Sequence, residues 1–249
     1  MRLRSLALAS LLAASAAFSL YAAPPADLVP AMVALDRAYI PALGLTGQAD
    51  PAKAKIAMTT FETAWNGFNA IFSDKPGFDE EWTTDLTHLG EIVAMAKAAL
   101  MDRGEMAKAH EILEGVRLTL LESRSRQKIP YFLDSLTDFH GSMEVLLANV
   151  PARPLAEWKA NEEAVFAAYL DISIARWKIV KAREDLLPAY RLGEKVGPAY
   201  QGQYQAVARI LDSMAAALKG GDGKALADAT ATLKPAFVKT FFMFGDFPK

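Results

Sequence analysis

The chain has 249 residues, 52% of them hydrophobic, a formal charge of −2 and no cysteine. That length can bury one large core or two modest ones. Without cysteine there are no disulfides, no thiolate metal ligands and no covalently attached haem, and the slightly acidic balance argues against a nucleic-acid partner.

Arg2 and Arg4 precede an apolar run from Leu6 to about Leu20, and small residues then lead to Pro24 and Pro25. This is the layout of an export signal over residues 1–22, cut after Ala22 or Ala23, and it implies a periplasmic protein. Cleavage would remove two of the 27 basic side chains and leave 25 against 29 acidic ones. The run barely reaches the roughly 20 residues that span a bilayer, so no stable membrane span is expected after cleavage.

Apolar positions recur at three and four throughout and no alternating stretch suggests strands, so the expected fold is all-α. A first helix is expected over 27–43, with Pro41 kinking or ending it. Asp50 and Pro51 cap a second helix that carries Phe61, Trp65, Phe68 and Phe72. Further helices are expected over 79–101, 105–124 and 131–148. Val150–Pro154, with two prolines, is the natural boundary. A sixth helix is expected over 155–187 with Trp158, Val165, Tyr169 and Ile172 inward. Gly197 and Pro198 open a seventh, and Asp222 caps an eighth that ends in Phe237, Phe241, Phe242 and Phe244.

The turn at Gly47–Asp50 is matched by Lys219–Asp222, and Phe72, Ser73, Asp74 are matched by Phe244, Gly245, Asp246. A looser third copy turns at Arg103–Glu105. Repeated antiparallel hairpins pack into four-helix bundles, so one bundle is expected over 23–150 and a second over 151–249. The hairpin resembles the last hairpin of cytochrome c′, a periplasmic four-helix bundle. Phe237, Thr240 and Phe241, and in the first copy Trp65, Phe68 and Asn69, occupy the positions of the haem-attachment run. The resemblance implies a haem-less bundle that fills the haem space with aromatic rings.

The three histidines lie between Asp85 and Glu144, each with an acidic neighbour on its own helix face: His88 with Glu91, His110 with Glu114, His140 with Glu144. Antiparallel pairing brings His140 level with Arg117 and close to the height of His88, and brings Glu144 near Glu114. His88, Glu91, Glu114, His140 and Glu144 would then form a metal site between the third, fourth and fifth helices, of a kind that suits iron, manganese, zinc or copper. His110 lies further along the axis and is expected outside it. The segment His88, Leu89, Gly90, Glu91 also resembles the His-x-x-Glu of imelysin-like periplasmic proteins linked to iron, and Met95, Met101, Met106 and Met143 lie near enough to suggest copper.

Two readings follow. The first is a non-enzymatic, exported bundle that binds iron or copper at those five residues. The second is metal-free, an interaction or apolar-ligand module held by Arg117–Glu144 and Arg124–Asp134 pairs, with the aromatic run Phe237–Phe247 lining a pocket or docking on a partner. No Ser-His-Asp elbow is present, and Gly220–Gly223 follows no strand, so it is a turn and not a phosphate loop.

Overall fold

A computed structural model describes residues 25–48 and 50–249; the expected export signal lies outside them. The described residues are all-α, with eight α-helices: α1 Leu28–Thr46, α2 Pro51–Phe72, α3 Trp82–Lys97, α4 Met106–Arg126, α5 Phe132–Ala148, α6 Ala160–Ala182, α7 Gly193–Gly220 and α8 Gly223–Phe242. A π-helical turn, Ala98–Asp102, continues α3, and 3-10 turns over Leu155–Glu157 and Glu184–Tyr190 flank α6.

Consecutive helices pair as hairpins, and the hairpins close into two rings, α1–α4 and α5–α8. Helix α5, expected with the helices before it, packs most extensively on α6. An amphipathic stripe says that a helix is half buried but not against which neighbour.

Helix α1 is central. It packs on α2 and α4 in its own ring and touches α8 and the Glu184–Tyr190 turn of the other. It is apolar on nearly every side, long enough to cross a membrane, and has 72% of its apolar window buried inside the protein. Pro41 does not end it. A proline has no N–H to offer the carbonyl four residues back, and the freed Arg37 oxygen instead accepts a hydrogen bond of 2.9 Å from the backbone N–H of Asp246. The proline therefore pins the tail after α8 onto α1. Gly245 makes that approach possible: a Cβ there would sit 2.8 Å from Ile40 and 2.9 Å from Pro41.

The repeat survives in the caps. Asp50 accepts from the Lys53 N–H and Asp222 from the Ala225 N–H, each at 3.0 Å, so each opens the second helix of its hairpin. Helix α6 departs from expectation. It buries Phe166, Leu170, Ser173, Trp177 and Val180, whereas Val165 and Ile172 are exposed. Trp177 stacks on Tyr204 and packs against Phe139, which fixes the rotation of the helix.

The rings are joined by a buried ionic group. Arg124 of α4, 2% exposed, donates from Nε and Nη2 to Asp134 of α5, at 2.5 Å for the shortest contact, as the sequence suggests. Its guanidinium lies 4.1 Å from the centre of the Tyr131 ring, and the Tyr131 hydroxyl donates to Asp36 of α1 at 2.5 Å. Burial works against the charge on Arg124, but Asp134 and Asp36 outweigh it and hold its pKa above the ordinary value. Asp36 is also buried, and desolvation pushes its pKa from 3.8 up to about 6 against the pull of Arg124 and the Tyr131 hydrogen bond.

Between those two values the folded chain keeps a proton on Asp36 that the unfolded chain has released. Its contribution to stability is therefore full at the acid end and is lost as pH rises towards 6, by about 3 kcal/mol. Urea unfolding of wild type and Asp36→Asn across this window checks it: their stability difference should change with pH by that amount, and parallel profiles would exclude a raised Asp36.

Candidate functional site

The face of α4 that carries Arg124 also carries His110, Glu114 and Arg117 nearer its start, and this polar stripe forms one wall of a cleft between the rings. The cleft is about 470 Å³. Leu43 and Gly44 at the end of α1, and Phe237, Val238, Phe241 and Phe242 of α8, form its apolar side. His110, Glu114, Arg117, His140 and Lys234 form the polar side. The volume falls in the range of small-molecule pockets, which are mostly apolar with a few placed polar groups.

Gly44 sets the depth. A Cβ there would lie 2.5 Å from the Phe242 ring, so only glycine lets that ring settle against α1. Phe237 stacks on Phe241, and its ring centre lies 5.2 Å from that of His140. The aromatic run at the end of α8 is thus both core and lining: Phe237, Phe241 and Phe244 are buried, and Phe242 is packed against the core.

His140 has an ionic group beside each ring nitrogen. Arg117 Nη2 lies 2.6 Å from Nδ1, and because a guanidinium only donates, Nδ1 accepts and carries no proton. The proton is then on Nε2, which faces Glu144 Oε1 at 3.3 Å. Arg117 also pairs with Glu114, and Glu144 pairs with Lys234 at 2.8 Å. Burial, followed by Arg117, Lys234 and His110, lowers the His140 pKa from 6.5 to about 3, so the ring is a neutral bridge between two ion pairs. His110 is fixed differently: its Nδ1–H donates to the Leu43 carbonyl at 2.9 Å, and Nε2 is turned towards Glu114 Oε1 at 3.7 Å.

Of the five residues expected to share a site, Glu114, His140 and Glu144 are brought into one chain of contacts. His88 and Glu91 are not. They face each other on the outer surface of α3, Nδ1 to Oε2 at 3.6 Å, with side chains 56% and 67% exposed. Among the described residues, no three His, Cys, Asp or Glu side chains converge with the geometry of a metal site. Arg117, expected to reach Glu144, reaches it only through His140. His110 and Lys234 were missed. His110, Glu114 and Arg117 share a face at spacings of four and three, which signals one polar wall, but Lys234 comes from a distant helix and carries no such signal.

Neutral His140 makes a testable statement about protons. Because its folded-state pKa is depressed, its contribution is full above 6.5 and is lost as pH falls towards about 3. NMR of the ring nitrogens should show the Nε2–H tautomer with no titration between about pH 7 and about pH 5; a midpoint near the ordinary value of ~6.5 would contradict the bridge. Compared with protein-family models, curated proteins and solved structures, the chain matches none.

Proposed function

We propose that this is an exported, non-enzymatic binding module that takes a small, largely apolar molecule in the cleft between its two rings. The carrying observation is the pairing of one aromatic wall, Phe237, Phe241 and Phe242, with one polar wall, on which Glu114 and Arg117 each leave a buried polar atom without a hydrogen-bond partner. A ligand body would replace water against the rings, and His110 Nε2 and Lys234 Nζ at the more open side would meet its polar end. Export by residues 1–22 belongs to the same proposal and rests on the basic start and apolar run of the N-terminus.

A metal-bound reading draws on a different observation, the presence of His110, Glu114 and His140 in one cleft. It requires Arg117 to leave His140, because Nδ1 is taken while it accepts from the guanidinium, and a metal at Nε2 would move the ring proton to Nδ1, which could then no longer accept.

The neutral probe N-phenyl-1-naphthylamine separates these readings. Saturable one-to-one binding is expected, with at least about a tenfold loss in Val238→Trp, which fills the cleft from a partly buried position. Absence of binding, or equal binding by the variant, would overturn the proposal. Stoichiometric iron or copper that survives dialysis and is lost in His140→Ala would replace it with the metal reading.

A further inference from the structure

The outward face of α6 has its own order. Val165, Ile172 and Ile179 recur every seven residues, and Ala168, Ala175 and Ala182 follow each of them by three. This is a heptad seam with β-branched residues at one core position and alanine at the other. It lies opposite the buried stripe of Phe166, Leu170, Ser173, Trp177 and Val180, so α6 is apolar on two sides. Val165, Ile172 and Ile179 are 44%, 48% and 44% exposed, and the three alanines are exposed too. Leu118 and Val145 adjoin Ile172 across a groove and are also exposed, so most of the large exposed apolar side chains gather on this flank.

We infer that this seam is a dimer interface in which α6 packs antiparallel against α6 of a second copy. The sequence is self-complementary in that register. Ile172 faces the partner's Ala175, Val165 faces the partner's Ala182, and Ala168 faces the partner's Ile179, so every layer sets a large side chain on a small one and the helices can approach to about 8 Å. The same register places Asp171 beside the partner's Lys178, and by symmetry Lys178 beside the partner's Asp171. Both side chains are exposed, and neither forms an ion pair among the described residues. On the other flank Glu162 comes level with the partner's Arg183, and Tyr169 with the partner's Arg176. A parallel pairing would instead set Lys178 beside the partner's Arg183, two cations, and would lose the large-on-small layers by placing each isoleucine on its own copy. Charge thus selects both the second copy and its direction. The seam from Val165 to Ala182 is about 26 Å long at the helical rise, enough for a symmetric contact with the groove residues at its edge.

Light scattering after size exclusion, with sedimentation equilibrium over a concentration series, tests this on the full chain after removal of any affinity tag. Wild type is expected to dimerise reversibly. Ala175→Glu should abolish dimerisation without loss of helix, and because the site is exposed its circular dichroism should match wild type. Asp171→Lys should weaken the dimer about tenfold or more by setting two lysines against each other at both symmetry-related pairs, and Asp171→Lys with Lys178→Asp should restore it to within about threefold. A chain that stays monomeric at its highest soluble concentration, or a dimer indifferent to Ala175→Glu, would overturn the inference. A dimer in which the double exchange fails to rescue the single one would overturn the antiparallel register.

Discussion

Arg124 carries a permanent charge into the junction of two helical rings, and the rest of the structure follows from how that charge is satisfied. A guanidinium out of water costs several kcal/mol unless carboxylates and ring faces surround it. Here Asp134 and the Tyr131 ring at the start of α5, and Asp36 of α1, do so. Their demands fix the height and rotation of α4 between α1 and α5. Because Arg117, Glu114 and His110 lie on the same face of α4, the same constraint determines where the polar wall of the cleft stands. Arg117 is two turns, about 10 Å, from Arg124. The ionic group and the cleft are the two ends of one seam.

The apolar wall depends on a second constraint, the missing N–H of Pro41. The Arg37 carbonyl it frees is satisfied by Asp246, and Gly245 permits the contact. The chain leaving α8 is thereby held across α1, and Phe242 is pressed onto Gly44 at the floor of the cleft. A proline in the first helix and a glycine near the last residue thus cooperate to hold the chain after α8 against α1. Arg37 strengthens the same region, donating to the Tyr190 carbonyl at 2.5 Å. The cleft is therefore built from both rings.

The hairpins and their caps were legible because their signals are local. Asp50 with Pro51, and Asp222 after Gly221, act within one turn of their own positions. Arg124 with Asp134 was legible for a related reason: the two flank a short connection between antiparallel helices. What periodicity could not supply was rotation and neighbour. In α6 two apolar stripes lie one residue apart, Val165–Tyr169–Ile172 and Phe166–Leu170–Ser173, and hydrophobicity over these turns does not separate them, although the structure buries the second. Trp177 decides it, because a side chain of that size needs the stacking that Tyr204 and Phe139 offer. The placement of α5 failed for the same reason, and with it the expected cluster. Turn positions put His88 level with His140 along the axis, but it lies on a face of α3 that meets water, whereas His110, further along the axis, lines the cleft with His140. Height along a bundle is readable from turn positions; direction around a helix needs the partner.

The Arg124–Asp134 pair couples the two rings, and a double-mutant cycle measures that coupling without reference to ligand or partner. Stabilities of wild type, Arg124→Met, Asp134→Leu and the double variant would be taken from denaturant unfolding under one buffer condition. The predicted coupling is about 2–3 kcal/mol, with each single change costing more than its share of the double because it leaves an opposite charge buried alone. A coupling within about 0.5 kcal/mol of zero, the level of additive independent sites, would contradict the account.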